Sequence, residues 1–395
     1  MLAAAGSSPP APLAEDLASL WLLDPAVTFL NHGSFGAVPR ALRTAFVALQ
    51  ERIEAEPVEF IDRRLGELLT PARTRVATFL GIEPDALGFV TNATEGVNAV
   101  LRSLDFAQGD ELLTTSHVYN AVRNAMSYRA RQTGATYVEV PVPLPIREPL
   151  EVVRALTSRM TARTRLVVVD QVTSPTALIF PVETLAAECR ARGIELLVDG
   201  AHAPGMLDVD VDAIGCTYWT GNLHKWCCAP KGAAVLWVAP ERRGDIHPLA
   251  VSHFLGEGFV KEFDWQGTRD VAAWSVSGQA IEFFERFGWE NVRAHNRALA
   301  AWAHDLLCER WQVEPVSPPE HTMLGFMATV RLPHELAQRF ATPLDFQKRL
   351  YARERIEVPI LAFDGRWHAR VSAQLYNRPE EYERLAGVVL RHAGR

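Results

Sequence analysis

Short apolar runs alternate with amphipathic stretches through the middle of this 395-residue chain. The runs read LGFVTN (87–92), ELLTTS (111–116), ATYVEVPV (135–142), TRLVVVDQV (164–172), IELLVDG (194–200), CTYWTG (216–221) and GAAVLWVA (232–239). Several are almost continuous in Val and Leu, which is typical of strands buried on both faces of a mainly parallel sheet. Helical patterns such as PVETLAAECRARG separate the runs, so the sequence predicts an α/β fold.

The pattern changes near residue 270, and this change predicts a second, smaller domain. A long helical stretch begins near residue 275 and is interrupted near Gly288. The strand-like FMATVRL (326–332), the helical DFQKRLYARERI and the strand-like HARVSAQLYN follow, before a last helix from Pro379. We therefore expect an N-terminal arm over residues 1–25, a large sheet domain over 26–270 and a smaller α+β domain over 271–395.

Charge and composition argue against several classes of function. The formal net charge is −7, whereas nucleic acids and anionic membranes attract basic surfaces. The sequence contains no apolar run of the roughly 18 residues that a membrane span needs. Five scattered cysteines without metal-ligand spacing indicate a reducing compartment and no metal site, and the first residues lack a signal-peptide pattern. We expect a cytoplasmic protein that binds neither nucleic acid nor membrane.

Two candidate active-site residues follow neighbouring predicted strands. Asp199 ends the run IELLVDG, and Lys225 comes shortly after CTYWTG. Open α/β sheets bind ligands beyond the carboxyl ends of their strands, so we expect these side chains to meet there. A helix opens directly after another strand at Ala93 and Thr94, where backbone N–H groups can bind a phosphate. His224, beside Lys225, is a further candidate phosphate donor.

Seven motifs give the chain a resemblance to a known family. They are FLNHGSFG (29–36), NATEG (92–96), HVYNAV (117–122), VDGAHAPG (198–205), NLHKWCCAPKG (222–232), QGTRD (266–270) and HARVSAQLYN (368–377). In this order they resemble the class V aminotransferase-fold family, a branch of the fold-type I enzymes that use pyridoxal 5′-phosphate (PLP). FLNHGSFG and HKWCCAPKG are most similar to its isopenicillin N epimerase-like subgroup. The resemblance spans residues 26–380.

The resemblance implies a set of cofactor contacts. Lys225 would hold PLP as a Schiff base, and Asp199 would keep the pyridine nitrogen protonated. His202 would donate a hydrogen bond to the phenolic oxygen of the ring. The residues implied at the phosphate are Ala93, Thr94, Asn222 and His224, and Thr268 would reach the phosphate of the neighbouring subunit. The family pattern therefore implies a homodimer with shared active sites.

The resemblance also implies residues on the substrate side. Tyr119 would stack on the cofactor ring, with His117 as the competing candidate. Arg370 would bind the α-carboxylate of an amino acid, a bidentate task for which a guanidinium group is well suited. Asn31 and His32 would line the substrate side of the site.

The sequence leaves more than one reaction open. The subgroup resemblance favours an epimerase or racemase that breaks the Cα–H bond of an amino acid, and the alternative is a carbon–sulfur β-lyase of a cysteine-derived substrate. Desulfurases of this family use a cysteine shortly before the carboxylate-binding arginine, and no cysteine follows Cys308. Persulfide-forming desulfuration is therefore not expected. A cofactor-free binding protein is disfavoured because Lys225 and Asp199 are both present.

Overall fold

The structure is a computed structural model that describes residues 8–395. In chain order its strands are β1 (Thr28–Phe29), β2 (Leu87–Val90), β3 (Glu111–Thr115), β4 (Thr136–Val140), β5 (Thr164–Asp170), β6 (Glu195–Asp199), β7 (Tyr218–Asn222), β8 (Ala234–Val238), β9 (Met327–Arg331), β10 (Ile356–Glu357), β11 (Ile360–Phe363) and β12 (Arg366–Ser372). Its α-helices are α1 (His32–Phe35), α2 (Arg40–Ala55), α3 (Leu65–Leu80), α4 (Ala93–Ser103), α5 (Asn120–Thr133), α6 (Leu150–Thr157), α7 (Val182–Ala191), α8 (Val211–Ile214), α9 (Phe259–Asp264), α10 (Ala272–Ser275), α11 (Ser277–Glu285), α12 (Trp289–Trp311), α13 (Leu336–Arg339), α14 (Pro343–Glu354) and α15 (Pro379–Ala393).

Seven strands form one large sheet in the order β2-β8-β7-β6-β5-β3-β4. The neighbouring pairs from β7 to β4 are parallel, whereas β8 runs antiparallel to both β2 and β7. Parallel strands need crossover connections, which the intervening helices supply. The sheet is therefore mainly parallel, and the predicted α/β fold is confirmed.

The large sheet is buried on both faces. Along β5, Leu166 and Val168 join the hydrophobic cluster on one face, and Val167 and Val169 join the cluster on the other face. Successive side chains of a strand point to opposite faces. An unbroken apolar run is thus the sequence that a strand needs when helices cover both sides of its sheet.

The C-terminal part contains a three-stranded antiparallel sheet in the order β11-β12-β9, together with α12 and α15. Gly288, with φ of 75°, separates α11 from α12, so the interrupted helical pattern forms two helices. β1 pairs in parallel with β10, with Thr28 opposite Ile356. The N-terminal strand is therefore hydrogen-bonded to the C-terminal part, a contact that the expected boundaries did not anticipate.

Candidate active site

Polar residues gather where parallel strands of the large sheet end. Asp170 ends β5 and Asp199 ends β6, and the two residues are directly paired in register. A cavity of about 560 Å³ opens at this edge. Of the predicted site residues, its lining includes Ala93, Thr94, Tyr119, Asp199, His202, Asn222, His224, Lys225 and Arg370. The lining also includes residues that the sequence did not single out, among them Ser34, Phe35, Asp170, Ser174 and Lys231.

The amine of Lys225 lies beside a neutral histidine. The indole N–H of Trp226 donates to Nδ1 of His202 at 3.3 Å, so the proton of a neutral imidazole is on Nε2. That Nε2 lies 3.1 Å from Nζ of Lys225, and it can donate to an uncharged amine. Burial lowers the pKa of Lys225 to about 7. The negative charge of Asp199 opposes this shift, and the positive charge of Arg370 adds to it. The lysine is therefore suited to act as a nucleophile near neutral pH.

Asp199 is a buried carboxyl group close to Lys225. Its Oδ1 accepts the backbone N–H of Ala201 at 2.9 Å. Burial raises the pKa of Asp199, while the N–H of Ala201 and the charge of Lys225 oppose the rise. A cationic ring nitrogen placed here would favour the ionised carboxylate in the same way.

The first turn of α4 forms a second polar end of the cavity. Asn92 caps the helix by accepting the N–H of Glu95 at 2.9 Å, and Oδ1 of Asn222 accepts the N–H of Ala93, also at 2.9 Å. Ala93 and Asn222 thus hydrogen-bond to each other and fix the start of the helix. Thr94 lines the cavity at the positive end of the helix dipole, which is suited to an anion.

Two further basic side chains line the cavity. Nδ1 of His224 donates to the carbonyl of Ala233 at 3.1 Å, and burial followed by the charge of Lys225 lowers the pKa of His224 to about 4. An anion beside the imidazole would favour its protonated form. Lys231, whose Nζ donates to the carbonyl of Gly36 at 3.0 Å, adds a positive charge to the lining.

Arg370 is a buried cation with neutral partners. Its Nη1 donates to the carbonyl and hydroxyl oxygens of Ser174 at 2.6 and 3.0 Å, and Nη2 donates to Oγ of Ser34 at 3.1 Å. Within residues 8–395, its Nε has no hydrogen-bond partner. Burial lowers the pKa of Arg370 to about 10. Because buried charges are normally paired, this guanidinium group is available to pair with an anion.

The two candidates for the stacking ring lie in different surroundings. Tyr119 precedes α5, lines the cavity and is 43% exposed. His117 is fully buried, with Nδ1 2.6 Å from the hydroxyl of Thr176 and Nε2 2.7 Å from the carbonyl of Val142. Only Tyr119 of the two lines the cavity.

Asn31 and His32 do not line the cavity, although the resemblance implied that they would. His32 is fully buried, and its nitrogens lie 2.8 Å from the hydroxyl of Tyr376 and 2.9 Å from the carbonyl of Lys225. Asn31 donates to Glu357 at 3.0 Å and accepts the hydroxyl of Ser34 at 2.5 Å. Their geometry allows them to support the backbone of Lys225 and the side chain of Ser34.

Gly33, Ser34 and Phe35 form the cavity wall next to these residues, and Gly36 follows them. Gly36 has φ of 71°, and a Cβ atom there would lie 2.0 Å from the carbonyl oxygen of His224. Only glycine combines this backbone conformation with so close an approach. Thr268 is exposed and is not part of the lining, so it does not contact the cavity of its own chain.

A second cleft adjoins the cavity. It has a volume of about 520 Å³ and shares Tyr119 and Ser174 with the cavity lining. Its other walls are mainly apolar, with Val142, Leu361 and Phe363 among them. A ligand bound at Arg370 could therefore extend into this cleft.

Comparison with known proteins reveals relatives that match most of the chain. A model of the family described as Aminotransferase class-V matches residues 58–385. The isopenicillin N epimerase of Amycolatopsis lactamdurans is 36% identical over 92% of this chain and 94% of that protein. A putative L-cysteine desulfhydrase of Oryza sativa subsp. japonica is 32% identical over 92% of this chain and 82% of that protein. A solved structure of a C-DES mutant, with glycine covalently linked to its PLP cofactor, matches with a TM-score of 0.74 at 21% identity, over 92% of this chain and 96% of that chain.

Proposed function

The chain belongs to the aminotransferase class-V family and is a PLP-dependent enzyme. We propose that it inverts the configuration at the α-carbon of an amino acid with a long side chain. This would be an isopenicillin N epimerase-like reaction. The observation that carries the proposal is the apolar cleft beside Arg370, which shares Tyr119 and Ser174 with the cofactor cavity. Cysteine has too short a side chain to need such a cleft.

The residues of the cavity fit PLP. Lys225 offers an amine with a pKa of about 7, Asp199 offers a buried carboxyl group, and the start of α4 with Thr94 and His224 offers a phosphate site. When bound, PLP supplies an electron-withdrawing ring that weakens the bonds at Cα of the substrate. The protein would contribute the positions of the reacting groups and the transfer of protons.

Arg370 would bind the α-carboxylate, with Ser34 and Ser174 holding its guanidinium group in place. Nζ of Lys225 can accept a proton from Cα near neutral pH. Inversion requires a second proton donor on the other side of Cα. We assign this role to the hydroxyl of Tyr119, since this side chain lines both the cavity and the adjoining cleft.

The proposal is tested with a panel of L-amino acids of increasing side-chain length in deuterated water. We expect deuterium at Cα and inversion for long side chains, without pyruvate or sulfide. Ala362 is exposed and lines the cleft. An Ala362→Trp variant should therefore reduce the turnover of substrates with long side chains more than the turnover of cysteine. Release of pyruvate and sulfide from cysteine, with no inversion of any substrate, would contradict an epimerase.

A carbon–sulfur β-lyase is the second candidate. The likeness to the putative L-cysteine desulfhydrase of rice favours it, and the hydroxyl of Tyr119 could protonate a departing thiolate. All five cysteines are buried, and none lines the cavity, so no thiol is in place to accept sulfur as a persulfide. The same panel of substrates distinguishes this lyase reaction from epimerisation.

Tyr119→Phe should reduce inversion by roughly 100-fold or more, the usual scale of general acid–base catalysis. The variant keeps the aromatic ring and loses the proton, so a residue that only stacks would leave turnover nearly normal. Tyr128→Phe, an exposed position on α5, is the matched control. If Tyr119→Phe still exchanges Cα–H for deuterium but no longer inverts the substrate, Tyr119 is the second proton donor. If exchange and turnover are both unchanged in this variant, the assignment is wrong.

We further propose a cytoplasmic homodimer in which Thr268 reaches the phosphate site of the partner subunit. Thr268 is exposed in its own chain, and the nearby segment presents Leu249, Val251 and Leu255 on the surface. Exposed apolar side chains grouped in this way are typical of a covered interface. The five free cysteines are consistent with a reducing compartment.

Light scattering of the wild type should give the mass of a dimer. Leu255→Asp should shift the measured mass towards that of the monomer, and the variant should lose PLP. Glu290→Gln, a surface substitution on α12, serves as the control. A monomer that keeps full activity on dilution would overturn the dimer proposal.

A further inference from the structure

Two carboxyl groups lie side by side at the end of the large sheet, and the mechanism proposed above uses only one of them. Asp170 on β5 is the register partner of Asp199 on β6, and paired residues of parallel strands point to the same face. Both are about 3% exposed, and both line the cofactor cavity. Two ionised carboxylates this close in a buried site repel each other strongly, so one of them should hold a proton.

The surroundings of the two groups differ. Asp199 accepts the N–H of Ala201 through Oδ1, whereas Oδ2 of Asp170 is buried and has no hydrogen-bond partner within the described residues 8–395. An unpaired polar atom is costly to bury in either form, but the cost is far larger for an ionised carboxylate than for a neutral carboxyl group. The unpartnered oxygen therefore indicates that Asp170 is the member of the pair that holds the proton.

The charged and titratable groups around Asp170 are consistent with this assignment. Burial and the charge of Asp199 raise the pKa of Asp170 well above its usual range, and the backbone N–H of Tyr119 and the charge of Lys225 oppose the rise only in part. The other titratable side chains that line the cavity are Arg370, Lys231, His202, His224 and Tyr119. The pKa values of both histidines lie below the usual range, chiefly through burial.

We propose that Asp170 is an uncharged carboxylic acid at neutral pH and acts as a positioning residue for Asp199 and Tyr119. Its proton leaves Asp199 as the single negative charge at the cofactor ring, and its carboxyl group lies near the backbone N–H of Tyr119. The assignment depends on the cofactor site and not on the choice between epimerase and lyase, so it stands or falls separately from the proposed reaction.

Infrared spectroscopy of the holoenzyme tests the protonation. At neutral pH we expect one band of a protonated carboxyl group, shifted by ¹³C-labelled aspartate and lost in Asp170→Asn. Asp208→Asn, at an exposed side chain, should leave the band unchanged. Absence of the band from the wild type would overturn the proposal.

The rate of PLP release decides which aspartate is charged. Asn keeps an acceptor and a donor but cannot ionise, so Asp170→Asn should release PLP within about fivefold of the wild-type rate. Asp199→Asn removes the charge and should release PLP at least about 100-fold faster than the wild type. The release rate of Asp170→Ala should lie between those of the two Asn variants, because alanine loses the contact with Tyr119. If Asp170→Asn releases PLP as fast as Asp199→Asn, the charge is on Asp170 and the assignment is wrong.

Discussion

Replacing Lys225 by alanine should lower turnover by roughly 100- to 10,000-fold, the range that a general acid–base residue contributes. The variant should also lose the covalent link to PLP, because Lys225 is the amine that lies beside neutral His202 and close to Asp199. Borohydride reduction of the wild type, followed by peptide mapping, should recover PLP on the peptide that contains Lys225.

Lys231 is the matched control for this experiment. It is a second lysine in the cavity lining, and its Nζ bonds to the carbonyl of Gly36. Lys231→Ala should keep the reducible link to PLP and bind the cofactor more weakly, because a positive charge in the cavity lining is gone. PLP recovered on Lys231 in the wild type would refute the assignment of Lys225.

Arg370→Ala should reduce kcat/KM for amino acids by about 30-fold to several thousand-fold while the enzyme keeps PLP. The range corresponds to the roughly 2–5 kcal/mol that is lost when one partner of a buried charged hydrogen bond is removed. Steady-state kinetics and the visible spectrum of the variant measure the two effects separately.

Arg370→Lys and Ser174→Ala refine the test. Lysine keeps the charge but cannot form the bidentate contact, so it should recover only part of the activity. Ser174→Ala removes the 3.0 Å hydroxyl contact and should have a smaller effect than Arg370→Ala. If the wild type converts an amine without a carboxylate as fast as the matching amino acid, Arg370 does not bind the substrate.

The large sheet was predictable because its signal is local. Several buried strands, such as β5 and β6, are almost continuous apolar runs, and the end of such a run shows where a polar residue reaches the sheet edge. Asp199 and Lys225 were found in this way. Asp170 carries the same signal at the end of TRLVVVD, but a single acidic residue inside a predicted strand gives no indication of its neighbour on β6.

The substrate side was harder to predict because its contacts join distant parts of the chain. The motif FLNHGSFG does lie at the cavity, yet Ser34 and Phe35 form the lining while Asn31 and His32 point elsewhere. The orientation of this segment depends on the pairing of β1 with β10 and on the close contact of Gly36 with His224. Neither contact leaves a periodic pattern in the sequence.

The pairing of β1 with β10 also governs when the site can form during translation. A ribosome makes Thr28 long before its partner Ile356, and at about 5–20 residues per second the delay is roughly 15 to 65 seconds. During this time the segment that ends at Gly36 has neither its partner strand nor Arg370 to hold it. The first part of the wall to be synthesised is among the last to fold, and a nascent chain cannot close its cofactor cavity until nearly all of it has left the ribosome.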